Sequence, residues 1–134
     1  MKQLERIGIS IESILLKQFD SLIEKQGYQS RSEAVRDLIR AQLSNEKIAD
    51  PNADAVAAVV LVYDHHASKL TEKLITLQHS HILDVISSLH VHLDKHDCLE
   101  VIVLKGKVSQ INKVGDNILS IKGVKLGRVN LVAT

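Results

Sequence analysis

Aromatic residues are scarce in this sequence: 134 residues include no tryptophan, one phenylalanine and two tyrosines. A core must therefore be built from leucine, isoleucine and valine. Cysteine occurs once, at Cys98, so no internal disulfide can staple the fold. That residue is then a small buried hydrophobe, a chance surface thiol, or a ligand or nucleophile. Proline also occurs once, at Pro51. No apolar run approaches the roughly 20 residues of a membrane span, and Met1-Lys2-Gln3-Leu4 opens without the apolar core of a signal peptide, so a cytoplasmic protein is expected. The net charge is only +1. Residues 1–49 hold eight Lys/Arg against seven Asp/Glu, so bulk electrostatics cannot be what holds nucleic acid, and any DNA binding must rest on a few well-placed residues. Histidine is in excess: seven is more than packing needs in a chain of this size. With 45% hydrophobic and 25% charged residues the chain is globular, as one domain or as two small ones supported by oligomerisation.

Residues 4–11 alternate strictly, Ile7, Ile9 and Ile11 on one side and Arg6, Gly8 and Ser10 on the other, which predicts a short half-buried strand. From Glu12 to Gln26 the residues Ile14, Leu15, Phe19, Leu22 and Ile23 recur at helical spacing, and Gly27 stands where a helix ends in a left-handed residue. Ser30-Arg31-Ser32-Glu33 reads as a capping box opening a second helix whose apolar stripe is Ala34, Val35, Leu38, Ile39 and Leu43. A lone strand and two helices in about 45 residues cannot bury their apolar faces. Pairing of the strand with that of a second chain resolves this, and the resulting ribbon fits a DNA major groove with Arg6, Gly8 and Ser10 toward the bases. The amides at Ser30, Arg31 and Ser32 then form a phosphate clamp at the helix N-terminus. The segment resembles the ribbon-helix-helix family, most tellingly over Gly27-Tyr28-Gln29-Ser30-Arg31-Ser32-Glu33-Ala34-Val35-Arg36. Gly8 occupies the middle reading position, which leaves discrimination to Arg6 and Ser10.

Ser44 to Ala53 has no apolar period and contains Pro51, which places a linker between a DNA-binding domain at 1–48 and a second domain at 54–134. The second part opens on the β-branched run Val56 to Tyr63, followed by an amphipathic helix over His66 to His81 with Leu70, Leu74 and Leu77. Strands over Val85–Leu93 and Cys98–Lys105 flank the polar loop 94–97. A helix from Val108 to Lys122, closed by Gly123, and a strand over Val124–Val132 complete a βαββαβ order, the ferredoxin-like arrangement. The fold class is α+β.

In Leu89-His90-Val91-His92-Leu93 the apolar residues take one face and both imidazoles the other. On the returning strand Leu99, Val101 and Val103 continue the apolar face, which leaves Cys98 and Glu100 with the histidines. A His-x-His on a strand is most often a solvated face, and a lone cysteine most often filler; the two together across a hairpin make three ligands. Gln78-His79-Ser80-His81 at the end of the helix supplies a fourth, His79 first and His81 in reserve, since residues on one face of a small domain often meet a symmetry mate. Imidazoles with a thiolate suit zinc, copper or nickel, and not calcium or magnesium.

The stretch Leu-His-Val-His-Leu-Asp-Lys-His-Asp-Cys-Leu-Glu, residues 89–100, resembles the nickel-responsive regulators of the NikR family, and the resemblance extends over nearly the whole chain. It implies a homotetramer, a dimer of dimers, in which an ACT-like βαββαβ core carries two ribbon-helix-helix dimers on double-stranded operator DNA. It further implies one square-planar Ni(II) per subunit, held by His90, His92 and Cys98 of one subunit and His79 of its neighbour, with Gln78 and Glu100 supporting the ligands. Glu33 and Asp37 match a cation site at the domain interface of some relatives; the other reading of that pair is a solvated helix face. The expected function is a nickel-dependent regulator, a repressor with Ni(II) as corepressor, and not an enzyme. Two alternatives stand beside it: a regulator whose ACT-like domain senses another metal or a small molecule, and a metal store or metalloenzyme with zinc and Glu100 as general base.

Overall fold

The computed structural model describes residues 2–66, 69–80 and 84–134, apart from the side chains of residues 77–80, 85 and 86. The chain forms two compact units, Met1–Gln42 and Leu43–Thr134.

In the first unit, helix α1 spans Ser13–Lys25 and helix α2 opens at Arg31. Gly27 takes a φ of +83°, while the Gly27 amide donates to the Glu24 carbonyl at 3.1 Å and the Tyr28 amide to the Ile23 carbonyl at 3.0 Å. This is a complete Schellman ending, which satisfies carbonyls that the last turn would leave bare. Ser30 caps α2, its Oγ accepting from the Glu33 amide at 3.2 Å. Arg31 grips Asp20 with both ends of its fork, Nε and Nη2 each 2.8 Å from a carboxylate oxygen, and ties α2 to α1. That contact holds the Asp20 carboxyl below its usual range.

The expected strand over residues 4–11 has no ladder within one chain; Ile7 is 74% exposed and Ile9 64%. The physical reason is that a strand needs a partner, and none of the described residues of this chain pairs with it. Ile14, Leu15, Leu22, Leu38, Ile39 and Leu43 are exposed as well, and only Ile23 of α1 and Ala34 of α2 are buried. The apolar stripes read from the sequence are present but uncovered in a single chain. The polar stretch from Ser44 also differs from expectation. Helix α2 runs on to Ile48, because Asn45, Glu46 and Lys47 lack apolar period but do not break a helix, and Pro51 lies three residues beyond its end. Ile48 packs on the core of the second unit.

The second unit runs β1 (Asp54–Asp64), α3 (Leu70–Ser80), β2 (Asp84–His92), β3 (Asp97–Lys107), α4 (Val108–Leu119), β4 (Val124–Ala133). Its sheet has the order β2-β3-β1-β4 with every neighbouring pair antiparallel, which is the βαββαβ ferredoxin-like topology. Alternate residues of β1, from Ala55 through Val59 and Leu61 to Tyr63, are buried with Cys98, Ile102 and Leu104 of β3. Helix α4 contributes Val108, Ile111, Val114 and Ile118 at helical spacing, and Leu70 enters the same core from α3. Leu89, Leu126 and Val132 lie on the opposite face and are exposed, with Val60, Val62, Leu99 and Val101 half-buried between them. The apolar residues of the His-x-His strand therefore lie on the uncovered face of the sheet, and the histidine side of the hairpin faces the helices.

A glycine on β4 lets this layer close. A Cβ on Gly127 would overlap Leu119 Cδ2 and stand 3.3 Å from both Leu61 Cβ and the Val60 carbonyl oxygen. The Leu119 side chain can turn aside, whereas Leu61 Cβ and the Val60 carbonyl oxygen must yield slightly, so Gly127→Ala is expected to cost about 1 kcal/mol, the low end for overpacking. A thermal unfolding midpoint equal to that of the unaltered chain would refute the close packing described here.

Candidate metal centre

The β2–β3 hairpin is built around Asp94. Its Oδ1 accepts from the amides of His96 and Asp97, each at 2.8 Å, and the Leu93 amide donates to the Asp97 carbonyl at 2.9 Å. Those amide donors, Asp97 first, hold the Asp94 carboxyl below its usual range. Asp97 is pinned in turn by Lys125 of β4, whose Nζ lies 2.7 Å from Oδ1. The tightened loop fixes the register in which His92 lies opposite Cys98, and His90 opposite Glu100. On the other edge of β3, Cys98 lies opposite Tyr63 of β1.

This register brings one ligand atom from each of His90, His92 and Cys98 within 4.8 Å of one another, the only such His/Cys/Asp/Glu group among the described residues. Cys98 Sγ is 3.4 Å from His92 Nδ1 and 3.7 Å from His65 Nδ1. The sulfur has no solvent exposure, and burial, reinforced by the carboxylates of Glu100, Asp94, Asp97 and Asp64, pushes its pKa above the ordinary thiol value. A divalent cation would overcome that shift, since coordination deprotonates a thiol outright. Donors of this kind, two imidazoles and a thiolate at the edge of a dry core, fit a late first-row metal and not a hard oxygen-seeking one.

Glu100 sits beneath the cluster, 5% exposed. Its Oε1 lies 2.9 Å from His90 Nδ1 and 3.2 Å from Tyr63 OH, and the hydroxyl is 3.1 Å from the same Nδ1. Burial first, then the Glu100 charge and hydrogen bond, push the Tyr63 pKa up to about 12, so the phenol keeps its proton at any physiological pH.

Comparison with known proteins gives the cluster a context. The NikR C-terminal nickel-binding domain matches residues 56–132, and the ribbon-helix-helix protein family of the CopG type matches residues 5–46. A protein of Trichlorobacter lovleyi named "Putative nickel-responsive regulator" is 50% identical over 133 residues, 99% of this chain and 96% of that one. One of the same name from Geobacter metallireducens is 48% identical over 134 residues, all of this chain and 96% of that one. The chain belongs to the nickel-responsive regulator family.

As a nickel-responsive regulator it combines a ribbon-helix-helix DNA-binding part with a nickel-binding part, and its family is one of transcriptional regulators, not of enzymes. The ribbon-helix-helix part implies DNA binding and the family implies an oligomer. Gln78 and His79 lie on the last turn of α3, with side chains outside the described residues; His81 lies outside them altogether. Arg6, Gly8 and Ser10 are exposed in the chain that precedes α1, and Ser30, Arg31 and Ser32 are exposed at the start of α2. Asp37 takes hydrogen bonds from Tyr28 OH at 2.7 Å and Arg40 Nη1 at 3.1 Å, and Glu33 lies one helical turn before it. No helix of the described residues is long and apolar enough to cross a membrane.

Tyr63 and His65 are the residues that sequence reasoning misses. Neither belongs to the His-x-His…Cys stretch, and both reach it only because β1 lies beside β3.

Proposed function

We propose that this regulator is a nickel-dependent, sequence-specific repressor with Ni(II) as corepressor, one ion per subunit, acting in the cytoplasm as a homotetramer on double-stranded operator DNA. The observation that supports it most is the convergence of His90, His92 and Cys98 at the end of the hairpin, three nitrogen and sulfur donors within 4.8 Å of one another. His79 of the partner subunit is the fourth, and Gln78 and Glu100 hold the ligand imidazoles. Bound nickel would supply a link between neighbouring subunits. The uncovered apolar face of the sheet and the bare stripes of α1 and α2 favour self-association in both parts of the chain, because patches of that extent are rarely left to solvent.

The work divides between residues 1–48, which bind DNA, and residues 54–134, which bind metal and assemble the tetramer. Strands from two chains pair into a ribbon that presents Arg6, Gly8 and Ser10 to base edges. Ser30, Arg31 and Ser32 present the α2 N-terminus to phosphate, with Arg31 already braced by Asp20. A hard cation at Glu33 and Asp37 would have to draw Asp37 away from Arg40.

Nickel and operator must bind with positive coupling, and linkage makes that coupling reciprocal: operator DNA tightens nickel binding by the factor with which nickel tightens DNA binding. Typical couplings of 1–3 kcal/mol give about a 5- to 150-fold gain in operator affinity. Fluorescence anisotropy of labelled operator, with and without one equivalent of nickel per chain, measures this. Equal affinities would refute the corepressor role.

A further inference from the structure

Strand β4 enters the sheet through a bulge. Val62 of β1 lies opposite Leu126 while the next residue, Tyr63, lies opposite Val124, so Lys125 is an extra residue with no partner across the ladder. Val124 takes the inward place and packs on the core, Leu126 lies on the uncovered face, and the bulge re-aims the Lys125 side chain between them. Its ammonium passes the end of β1 and reaches β3, where Nζ lies 2.7 Å from Asp97 Oδ1. That oxygen is buried, and among the described residues the Lys125 ammonium is the one group that answers its charge. Asp97 also closes the β2–β3 loop. Its amide donates to Asp94 Oδ1 at 2.8 Å, and its carbonyl accepts from the amides of Leu93 at 2.9 Å and Asp94 at 3.3 Å. Leu93 follows His92 and Asp97 precedes Cys98, so each end of the loop adjoins a residue of the metal cluster.

We propose that Lys125 is a positioning residue of the metal centre, which stakes Asp97 to the far edge of the sheet and so holds His92 and Cys98 at the separation that a shared metal needs. The inference rests on the nickel reading above and adds to it a residue from a strand that supplies no ligand. Strand β2 is an edge strand, so its end is tied to the rest of the sheet only through β3 and the loop. Without the ammonium, a carboxylate that is 22% exposed loses its counter-charge and must turn toward water, which shifts the residue next to Cys98. A role through charge alone has the opposite sign. Lys125 stands among Asp64, Asp94 and Asp97, and removing a cation there leaves more negative charge near the ligands, which would draw a divalent cation in more strongly. Position and charge therefore predict opposite changes in nickel affinity.

Lys125→Met keeps most of the side chain's length and removes its charge. It is expected to bind nickel about tenfold more weakly, in competition with a chelator, as loss of a supporting residue around a metal site does. Lys125→Arg, which keeps both charge and reach, is expected to restore the affinity. A second measurement needs no metal: amide hydrogen exchange at Leu93 and Asp97 is expected to quicken in Lys125→Met, while exchange at Val59 and Leu61 in the core of β1 stays as it was. Nickel bound as tightly or more tightly by Lys125→Met overturns the proposal, and so does an arginine that fails to restore it. Faster exchange spread over the whole sheet would make Lys125 a residue of general stability, which also overturns it. The thiolate-to-nickel absorption of the unaltered chain separates the two levels. Absorption present, with Lys125→Met titrating like the unaltered chain, refutes the positioning role alone, whereas no absorption from the unaltered chain refutes the nickel reading itself.

Discussion

Cys98→Ser is expected to cost nickel affinity on the order of a hundredfold to a thousandfold while leaving the metal-free fold nearly as stable as before. The asymmetry follows from what the sulfur touches. Structural metal sites with four ligands are worth about 10–16 kcal/mol, or roughly 2.5–4 kcal/mol per ligand, and a serine hydroxyl does not replace a thiolate on a late transition metal. In the metal-free chain serine is close in shape to cysteine, and its hydroxyl finds a partner in His92 Nδ1, which lies 3.4 Å from the sulfur now. A nickel titration followed by thiolate-to-metal absorption, beside thermal unfolding of the metal-free variant, separates the two losses. Equal losses would make Cys98 a structural residue. The pH dependence has a definite sign. The pKa of the free thiol is pushed up by burial and by nearby carboxylates, so it is protonated at neutral pH and nickel must displace the proton. Apparent affinity should therefore rise with pH, by about tenfold per unit below the thiol pKa, and in Cys98→Ser the part of this slope that belongs to the thiol should vanish.

What the sequence discloses of this molecule is what depends on near neighbours. The Schellman glycine, the Ser30 cap and the helical stripes are fixed within a few residues, and each is legible from spacing alone. The hairpin that joins His92 to Cys98 is legible for the same reason, since loop length and alternation set the pairing. Contacts that depend on strand order are not. Tyr63 meets Cys98, and His65 comes to 3.7 Å from its sulfur, because β1 rather than β4 lies beside β3, a choice that no periodicity records. Nor does alternation say which face of a sheet the helices cover when β1 is apolar on both: Ala55, Val59 and Leu61 lie inside, and Val56, Val60 and Val62 lie on the other face. The segment 4–11 shows a third kind of limit. Its pattern is that of a strand, but its pairing lies beyond the single chain.

That segment carries the other large effect: Arg6→Ala is expected to remove most of the discrimination of operator from random DNA while nickel affinity stays intact. One bidentate arginine–guanine contact contributes about 1–3 kcal/mol of discrimination, and a ribbon built from two chains carries Arg6 twice, so the loss is roughly 2–6 kcal/mol, or about 30-fold to 25,000-fold. Such a loss accounts for much of the gap of about 4–10 kcal/mol that separates specific from non-specific binding in proteins of this kind. The chain has little else with which to compensate. Its net charge is +1, and the position between Arg6 and Ser10 is Gly8, beside which an added Cβ would meet nothing within 4 Å. The open space at Gly8 also predicts that a polar residue there fits without disturbing the fold, so Gly8→Asn should shift sequence preference and leave stability unchanged. An operator selected from random DNA by the nickel-loaded protein provides the probe, and footprinting of that operator against bulk DNA provides the measurement. Normal protection by Arg6→Ala would place base recognition elsewhere on the molecule. Loss of protection together with loss of nickel binding would mean that the substitution had damaged the fold as a whole, an unexpected result since Arg6 belongs to one compact unit and His90, His92 and Cys98 to the other.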